Sequence, residues 1–262
     1  MLLIADNLTI TKRSVKQALD EMDPGPIRNL VRQCEAAGAG AIDINPGPLG
    51  RDASSRMAFL VETAQGVTGL PLVIDTAEPR AMEAGLRACR NRAVINGFSL
   101  EPAKRDAILA LATEFDAEVI CYLLRPDGHV PSGAEERLKL ACDVFEASRA
   151  AGIERGRLII DPVLVPVTWQ DGTSRNRELF SVLRQLPEVL GFPVKTAAGL
   201  SNLTASAGPR DKKLLLEIAC LCMLAEAGLS MVLMNIFHQG TVRAARACRS
   251  LMQPGVFAWE EL

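Results

Sequence analysis

The chain has 262 residues, a length that suits one large α/β domain of repeated units as well as two small domains. Its 29 Lys plus Arg against 31 Asp plus Glu give a formal net charge of -2, so there is no basic excess to neutralise phosphates, and nucleic acid is not an expected partner. Hydrophobic residues at 48% and charged residues at 23% describe a globular chain with a sizeable core, and aromatics at 4% leave few platforms on which single strands could stack.

Short apolar, β-branched runs alternate with longer amphipathic segments along the whole chain, the pattern of βα units around a parallel sheet. Strands are predicted at Leu2 to Ala5, Ala41 to Asn45, Leu72 to Asp75, Ala93 to Asn96, Val119 to Leu123, Leu158 to Pro162, Val194 to Ala198 and Met231 to Ile236. Helices are predicted between them, at Pro26 to Ala37, Ser55 to Val67, Pro79 to Cys89, Pro102 to Phe115, Ala134 to Ala151, Asn176 to Leu190, Lys212 to Ala227 and Thr241 to Met252. Pro residues near helix starts and Gly38, Gly152, Gly191 and Gly228 at helix stops punctuate the series. Eight repeats with no linker, charge block or low-complexity segment predict a single closed (β/α)8 barrel, the TIM barrel, over residues 1–262. A doubly wound sheet is the alternative, but no Gly-x-Gly-x-x-Gly follows a strand.

Seven Cys is an odd number, and the close pair Cys220 and Cys222 has one residue between, which fits neither a zinc knuckle nor a redox Cys-x-x-Cys. Reduced thiols and a cytoplasmic location are expected. The opening Met1 to Asp6 has no basic region and too short an apolar run for a secretion signal. The most apolar stretch, Cys220 to Phe237, carries Glu226, Gly228 and Asn235, and reads as a buried helix, a Gly turn and a buried strand rather than a membrane span.

A barrel builds its active site at the carboxyl ends of its strands. There the chain places Asp43 and Asn45 after the second strand, Asp75 after the third, Asn96 after the fourth, Asp161 after the sixth, and Ser201 with Asn202 after the seventh. Any one of them could cap a helix or satisfy a loop amide. Asp75, Asn96 and Asp161, however, each close an aliphatic run, where an inward side chain is desolvated and needs partners. Carboxylates and an amide converging on one cavity call for a ligand rich in N–H donors, such as a flat, amine-bearing heterocycle.

At these residues the chain resembles the pterin-binding methyltransferases, specifically those that act between methyltetrahydrofolate and a corrinoid protein. The resemblance runs nearly end to end: Arg-Gln-Cys-Glu-Ala-Ala-Gly-Ala-Gly-Ala-Ile-Asp43-Ile-Asn45, Val-Ile-Asp75-Thr, Ala-Val-Ile-Asn96, Ile-Ile-Asp161-Pro-Val-Leu-Val-Pro and Lys195-Thr-Ala-Ala-Gly-Leu-Ser201-Asn202. It implies a (β/α)8 barrel that forms homodimers, with Asp75, Asn96 and Asp161 holding the pterin beside Ser201, and Asn202 near pterin N5. Asp43, Asn45 and Lys195 would stand at the rim or behind it. The chain departs from the family at its start, where Ala5-Asp6-Asn7-Leu8-Thr9 replaces Gly-Glu-Arg-Ile-Asn, and after Asn202, where Leu-Thr-Ala-Ser-Ala lacks a Gln.

The implied chemistry moves a methyl group between tetrahydrofolate N5 and a corrinoid's cobalt. The N5 methyl is a poor electrophile, and an amide that hydrogen-bonds N5 more strongly as it becomes protonated assists the transition state differentially, the role assigned to Asn202. His129 and His238 fall in loops and read as solvated. No metal at the active site is called for by any ligand cluster. Asp127-Gly-His129-Val-Pro-Ser132 approaches the corrinoid-binding Asp-x-His-x-x-Gly but lacks its Gly and reads as a turn, so the corrinoid is expected on a separate partner protein. Transfer from a methylated corrinoid protein to tetrahydrofolate, in O-demethylation or methylamine and betaine use, is favoured over transfer to a corrinoid iron–sulfur protein in acetogenic carbon fixation. Three alternatives remain. A dihydropteroate synthase would need charged phosphate-handling residues where Ser201-Asn202 and Phe237-His238-Gln239 stand; a Schiff-base aldolase would use Lys195; a catalytically idle subunit would only bind pterin.

Overall fold

Residues 1–9, 12–50, 52–252 and 259 are described in a computed structural model. In chain order β1 (Leu2–Leu8) is followed by α1 (Arg13–Asp20) and α2 (Pro24–Ala36), then β2 (Ala41–Ile44), α3 (Ala53–Gln65), β3 (Leu72–Asp75) and α4 (Pro79–Ala88). The second half runs β4 (Val94–Phe98), α5 (Pro102–Glu114), β5 (Glu118–Tyr122), α6 (Ala134–Ala150), β6 (Leu158–Asp161) and α7 (Gly172–Leu190). It ends with β7 (Lys195–Gly199), α8 (Arg210–Glu226), β8 (Met231–Met234) and α9 (Gln239–Met252), with short 3-10 turns at Arg155–Arg157 and Leu200–Thr204. Neighbouring strands are parallel, and β1 closes on β8 with Leu2 opposite Met231 and Ala5 opposite Met234, completing the expected eight-stranded barrel.

Local sequence sets the boundaries. Asp23 caps α2 by accepting from the Gly25 N–H at 2.9 Å, and Pro occupies the first turn of α2, α4 and α5, where its missing N–H costs nothing. The four glycine stops all take positive φ, from 75° at Gly191 to 101° at Gly38, a conformation that side-chain-bearing residues avoid. The apolar stretch from Cys220 resolves into the end of α8, the Gly228 turn and β8, and no helix among the described residues is long and apolar enough to cross a membrane.

Because side chains alternate across a strand, the barrel wall sorts its aliphatics into two cores. Outward residues pack under the helices. Inward ones, among them Ile4, Val73, Ile120, Ile159, Ala197 and Leu233, fill the barrel's middle. Above that plug the inward positions turn polar. Below it, Glu118 and Lys195, the first residues of β5 and β7, pair across the floor at 2.9 Å.

Two differences from the sequence-based expectation bear on the site. β1 runs on to Leu8, so Asp6 and Asn7 belong to the barrel wall, and α1, unanticipated, follows it. β4 likewise extends past Asn96 to Phe98, with a register shift against β5. Gly97 makes that shift possible, since a Cβ there would sit 2.3 Å from the Ile120 carbonyl oxygen. Gly97→Ala is expected to destabilise the barrel by about 1–3 kcal/mol, visible as a lowered midpoint in thermal unfolding.

Candidate active site

Five of the eight sequence-selected residues meet at one side of the barrel mouth. Asp75 Oδ2 accepts from Asn45 Nδ2 at 2.7 Å and from Asn96 Nδ2 at 3.1 Å, and the Tyr122 hydroxyl donates to Asn96 Oδ1 at 2.5 Å. Both ends of the Asn96 amide are thereby committed, which fixes its orientation. Tyr122 was not anticipated, although the alternation Glu118, Ile120, Tyr122 along β5 points it into the same mouth. Asp161, only 6% exposed, accepts from the Val163 N–H at 2.7 Å through Oδ1. Val163 has φ +62°, rare for a β-branched residue, so the turn after β6 holds strain that this hydrogen bond helps to maintain.

Asp43 lies deeper, 1% exposed, with Oδ1 lacking any hydrogen-bond partner among the described residues. Burial, with the charges of Asp75 and Asp6 adding, pushes its carboxyl well above the usual range. Burial also pushes Asp75 up to about 6. Asp161 is pushed by burial to about 7, against the pull of the Val163 N–H and of Arg137, a fully buried cation on α6. Folded carboxyls that titrate so high bind more protons than the unfolded chain between about pH 4 and pH 7. Stability of the ligand-free protein should therefore be greatest at the acid end of that window and fall as pH rises through 6 to 7, then level off. Unfolding midpoints between pH 5 and pH 8 measure this, and Asp161→Asn should flatten the decline.

Ser201 and Asn202 stand on the 3-10 turn after β7. Ser201 Oγ donates to Asp6 Oδ2 at 3.4 Å. Asn202 is exposed and lies against the end of β7, where a Cβ at Gly199 would come within 3.2 Å of its Nδ2. A glycine therefore lets the amide lie this close to the strand end. Lys195 does not belong to this rim. It opens β7 instead of ending it, so its ammonium faces the barrel floor and Glu118, and the Schiff-base reading loses its position.

The two histidines also separate. His129 is exposed in a turn with Asp127, whose carboxylate accepts from the His129 N–H at 3.0 Å, as the turn reading expected. His238 is not solvated: its side chain is 21% exposed, with Nε2 3.1 Å from Asn235 Nδ2 and Nδ1 3.8 Å from Glu217 Oε2. Two cavities of about 300 Å³ flank the mouth. One is bounded by Asn45, Pro48, Asp75 and Glu78, the other by Asp6, Lys12, Ser201, Glu217, Asn235 and His238. A wider cavity of about 750 Å³ lies outside the barrel between α5 and α6, over Leu109 and Ala147 and away from the strand ends. The mouth thus offers carboxylates and oriented amides, with an orphaned acceptor beneath them, to a flat ligand rich in donors.

The sequence model described as "Pterin binding enzyme" matches residues 7–235. The chain belongs to this family of pterin-binding enzymes. Among curated relatives, the methylcorrinoid:tetrahydrofolate methyltransferase of Eubacterium limosum is 24% identical over 208 residues, covering 78% of this chain and 74% of that protein. Methionine synthase of Mycobacterium tuberculosis is 26% identical over 232 residues, 85% of this chain but 19% of that protein, so the chain spans about a fifth of its length. Solved structures of similar fold include dihydropteroate synthase from Xanthomonas albilineans, with TM-score 0.71 at 22% identity, covering 97% of this chain and 94% of that one. The Yersinia pestis dihydropteroate synthase gives TM-score 0.70 at 19% identity over 95% and 92% of the two chains.

Proposed function

We propose that this pterin-binding barrel is a methyltransferase that moves a methyl group between N5 of tetrahydrofolate and the cobalt of a corrinoid carried by a separate protein. The observation that carries the reading is the pairing of the Asp75–Asn96–Asp161 group with a neutral amide, Asn202, on the turn after β7. Ring N–H and exocyclic amine donors of the pterin would meet Asp75 and Asp161, and the locked Asn96 amide would fix which edge faces down. Ser201 and Asn202 would close over the reduced ring, with Asn45 and Asp43 supporting Asp75 from behind. The corrinoid supplies the methyl group and takes back the bonding electron pair. The chain's own part is to orient the pterin, shield N5 from water and answer the charge that develops there.

The likeness to the Eubacterium limosum protein, named for a methylcorrinoid donor, supports transfer toward tetrahydrofolate, and we place it in a demethylation route of the O-demethylase, methylamine or betaine type. The same reading expects a cytoplasmic homodimer. The solved dihydropteroate synthases share the fold at 22% identity or less, and Ser201-Asn202 offers no cation for a diphosphate. The test is to mix tetrahydrofolate, a methylated corrinoid protein and this chain while following corrinoid absorbance. Demethylation in step with formation of 5-methyltetrahydrofolate is expected. Pterin binding without any absorbance change would leave a pterin-binding scaffold, and dihydropteroate formed from a pterin diphosphate and p-aminobenzoate would replace the reading altogether.

A further inference from the structure

Asp75 and Asp161 are accounted for by the pterin's donors and Asp43 is sealed beneath them, but a fourth carboxylate at the mouth has no part in that grip. Asp6 points inward from β1, following Leu2 and Ile4 in the alternation, and its Oδ2 accepts from Ser201 Oγ at 3.4 Å, one residue from Asn202. It also walls the second cavity of about 300 Å³, which leads away from the barrel axis to Lys12, Glu217 and His238. A carboxylate here therefore sits between the Asn202 side of the mouth and a polar passage wide enough for water.

The far wall of that passage is tied together by side-chain hydrogen bonds. Asn235 Oδ1 accepts from Asn7 Nδ2 at 2.7 Å and from the Phe237 N–H at 3.1 Å, so its Nδ2 must face outward and donate to His238 Nε2 at 3.1 Å. The imidazole lies between that amide and Glu217, whose Oε2 is 3.8 Å from Nδ1. Glu217 in turn accepts from Thr204 Oγ1 at 2.5 Å, anchoring the end of the turn that carries Ser201 and Asn202. Asp6 stands at the mouth end of this wall. The charged or titratable groups facing it are Lys12 ahead of α1, Glu217 on α8, His238 before α9, Asp43 on β2 and Cys34 on α2.

We propose that Asp6 takes the proton that leaves N5 when the methyl group arrives, directly or through the Ser201 hydroxyl, and releases it to solvent through this cavity. The inference rests on the methyltransferase reading above. N5 of tetrahydrofolate carries one hydrogen. Its lone pair forms the bond to the methyl carbon while the carbon–cobalt pair stays on the metal, which leaves N5 positively charged with both substituents. The N–H pair then returns to N5 and the proton goes to the Asp6 carboxylate. In the reverse direction protonated Asp6 supplies the proton that makes N5 a leaving group. Burial lifts the Asp6 carboxyl above its ordinary range, with Ser201, Lys12 and His238 opposing and Glu217 adding.

The test is single-turnover methyl transfer at saturating folate across pH, in both directions, with an active wild type as reference. Wild-type transfer to tetrahydrofolate should speed up with rising pH and transfer from 5-methyltetrahydrofolate should slow. Asp6→Asn should lose about 10²–10⁴-fold in rate and flatten both profiles with folate affinity kept within a few-fold, and Asp6→Glu should restore the slope. Lys12→Met removes a surface cation that favours the Asp6 carboxylate, so it should move the inflection to higher pH in an otherwise intact protein. An Asp6→Asn protein with the wild-type profile, a uniform rate loss without change of shape, or an unmoved inflection in Lys12→Met would overturn the proposal. A wild type that transfers no methyl group to or from folate would overturn the methyltransferase reading, and this inference with it.

Discussion

Replacing Asn202 by alanine is expected to slow methyl transfer by about 10²–10³-fold while tetrahydrofolate binding weakens by less than about tenfold. The asymmetry follows from where the amide stands. Asn202 is exposed on its 3-10 turn, and its side chain has no hydrogen-bond partner among the described residues, so its removal breaks nothing in the ligand-free protein. An interaction with N5 would strengthen as N5 gains positive charge, which makes its contribution specific to the transition state. Single-turnover rates set against calorimetric affinities separate the two effects, and an unchanged rate removes Asn202 from the chemistry. Gly199 provides a second handle. A Cβ there would press on Asn202 Nδ2, so Gly199→Ala should reproduce part of the rate loss with the amide still present.

Asp161→Ala should weaken tetrahydrofolate binding by a factor on the order of 10²–10³, since a ligand donor facing a buried carboxylate loses its partner altogether. The same position should reveal a conflict between binding and stability. Keeping a carboxylate charged at 6% exposure is unfavourable, and Arg137 and the Val163 N–H offset only part of the cost, since the group still titrates at about 7. Asp161→Asn should therefore raise the unfolding midpoint of the ligand-free protein at pH 8 while it weakens the pterin complex. Calorimetry and thermal unfolding on one preparation check both. An asparagine variant that binds as tightly as the wild type would show that Asp161 is not an acceptor for the ligand.

The barrel and half of its mouth were legible in the sequence for the same reason. A parallel strand buried on both faces must be a nearly unbroken aliphatic run, so Leu-Val-Ile-Asp75 and Leu-Ile-Ile-Asp161 announce both a strand and the polar group that ends it. The other half was hidden by length. β1 continues three residues beyond its aliphatic run, which places Asp6 inside the wall although the apolar pattern stops at Ala5. Tyr122 escaped because a tyrosine within an apolar run reads as core until the inward parity of β5 is known. Lys195 was misplaced by the converse error: a polar residue in a strand says nothing about which end it occupies, and the preceding Val194 lies outside β7. His238 does lie in a loop, between β8 and α9, but its burial was hidden because Glu217, which faces it, and Asn7, which holds Asn235 beside it, come from distant parts of the chain.

The aliphatic plug and the Glu118–Lys195 floor beneath it make the barrel a cup with one opening. Under the proposed reaction both reactants must use that opening, and a corrinoid protein docked on the rim stands in the doorway of the folate. Folate then has to be seated before the carrier arrives, and the methylated product cannot depart until the carrier withdraws. The order of events is dictated by the architecture rather than by relative affinities, and turnover should decline when the carrier is in large excess over folate.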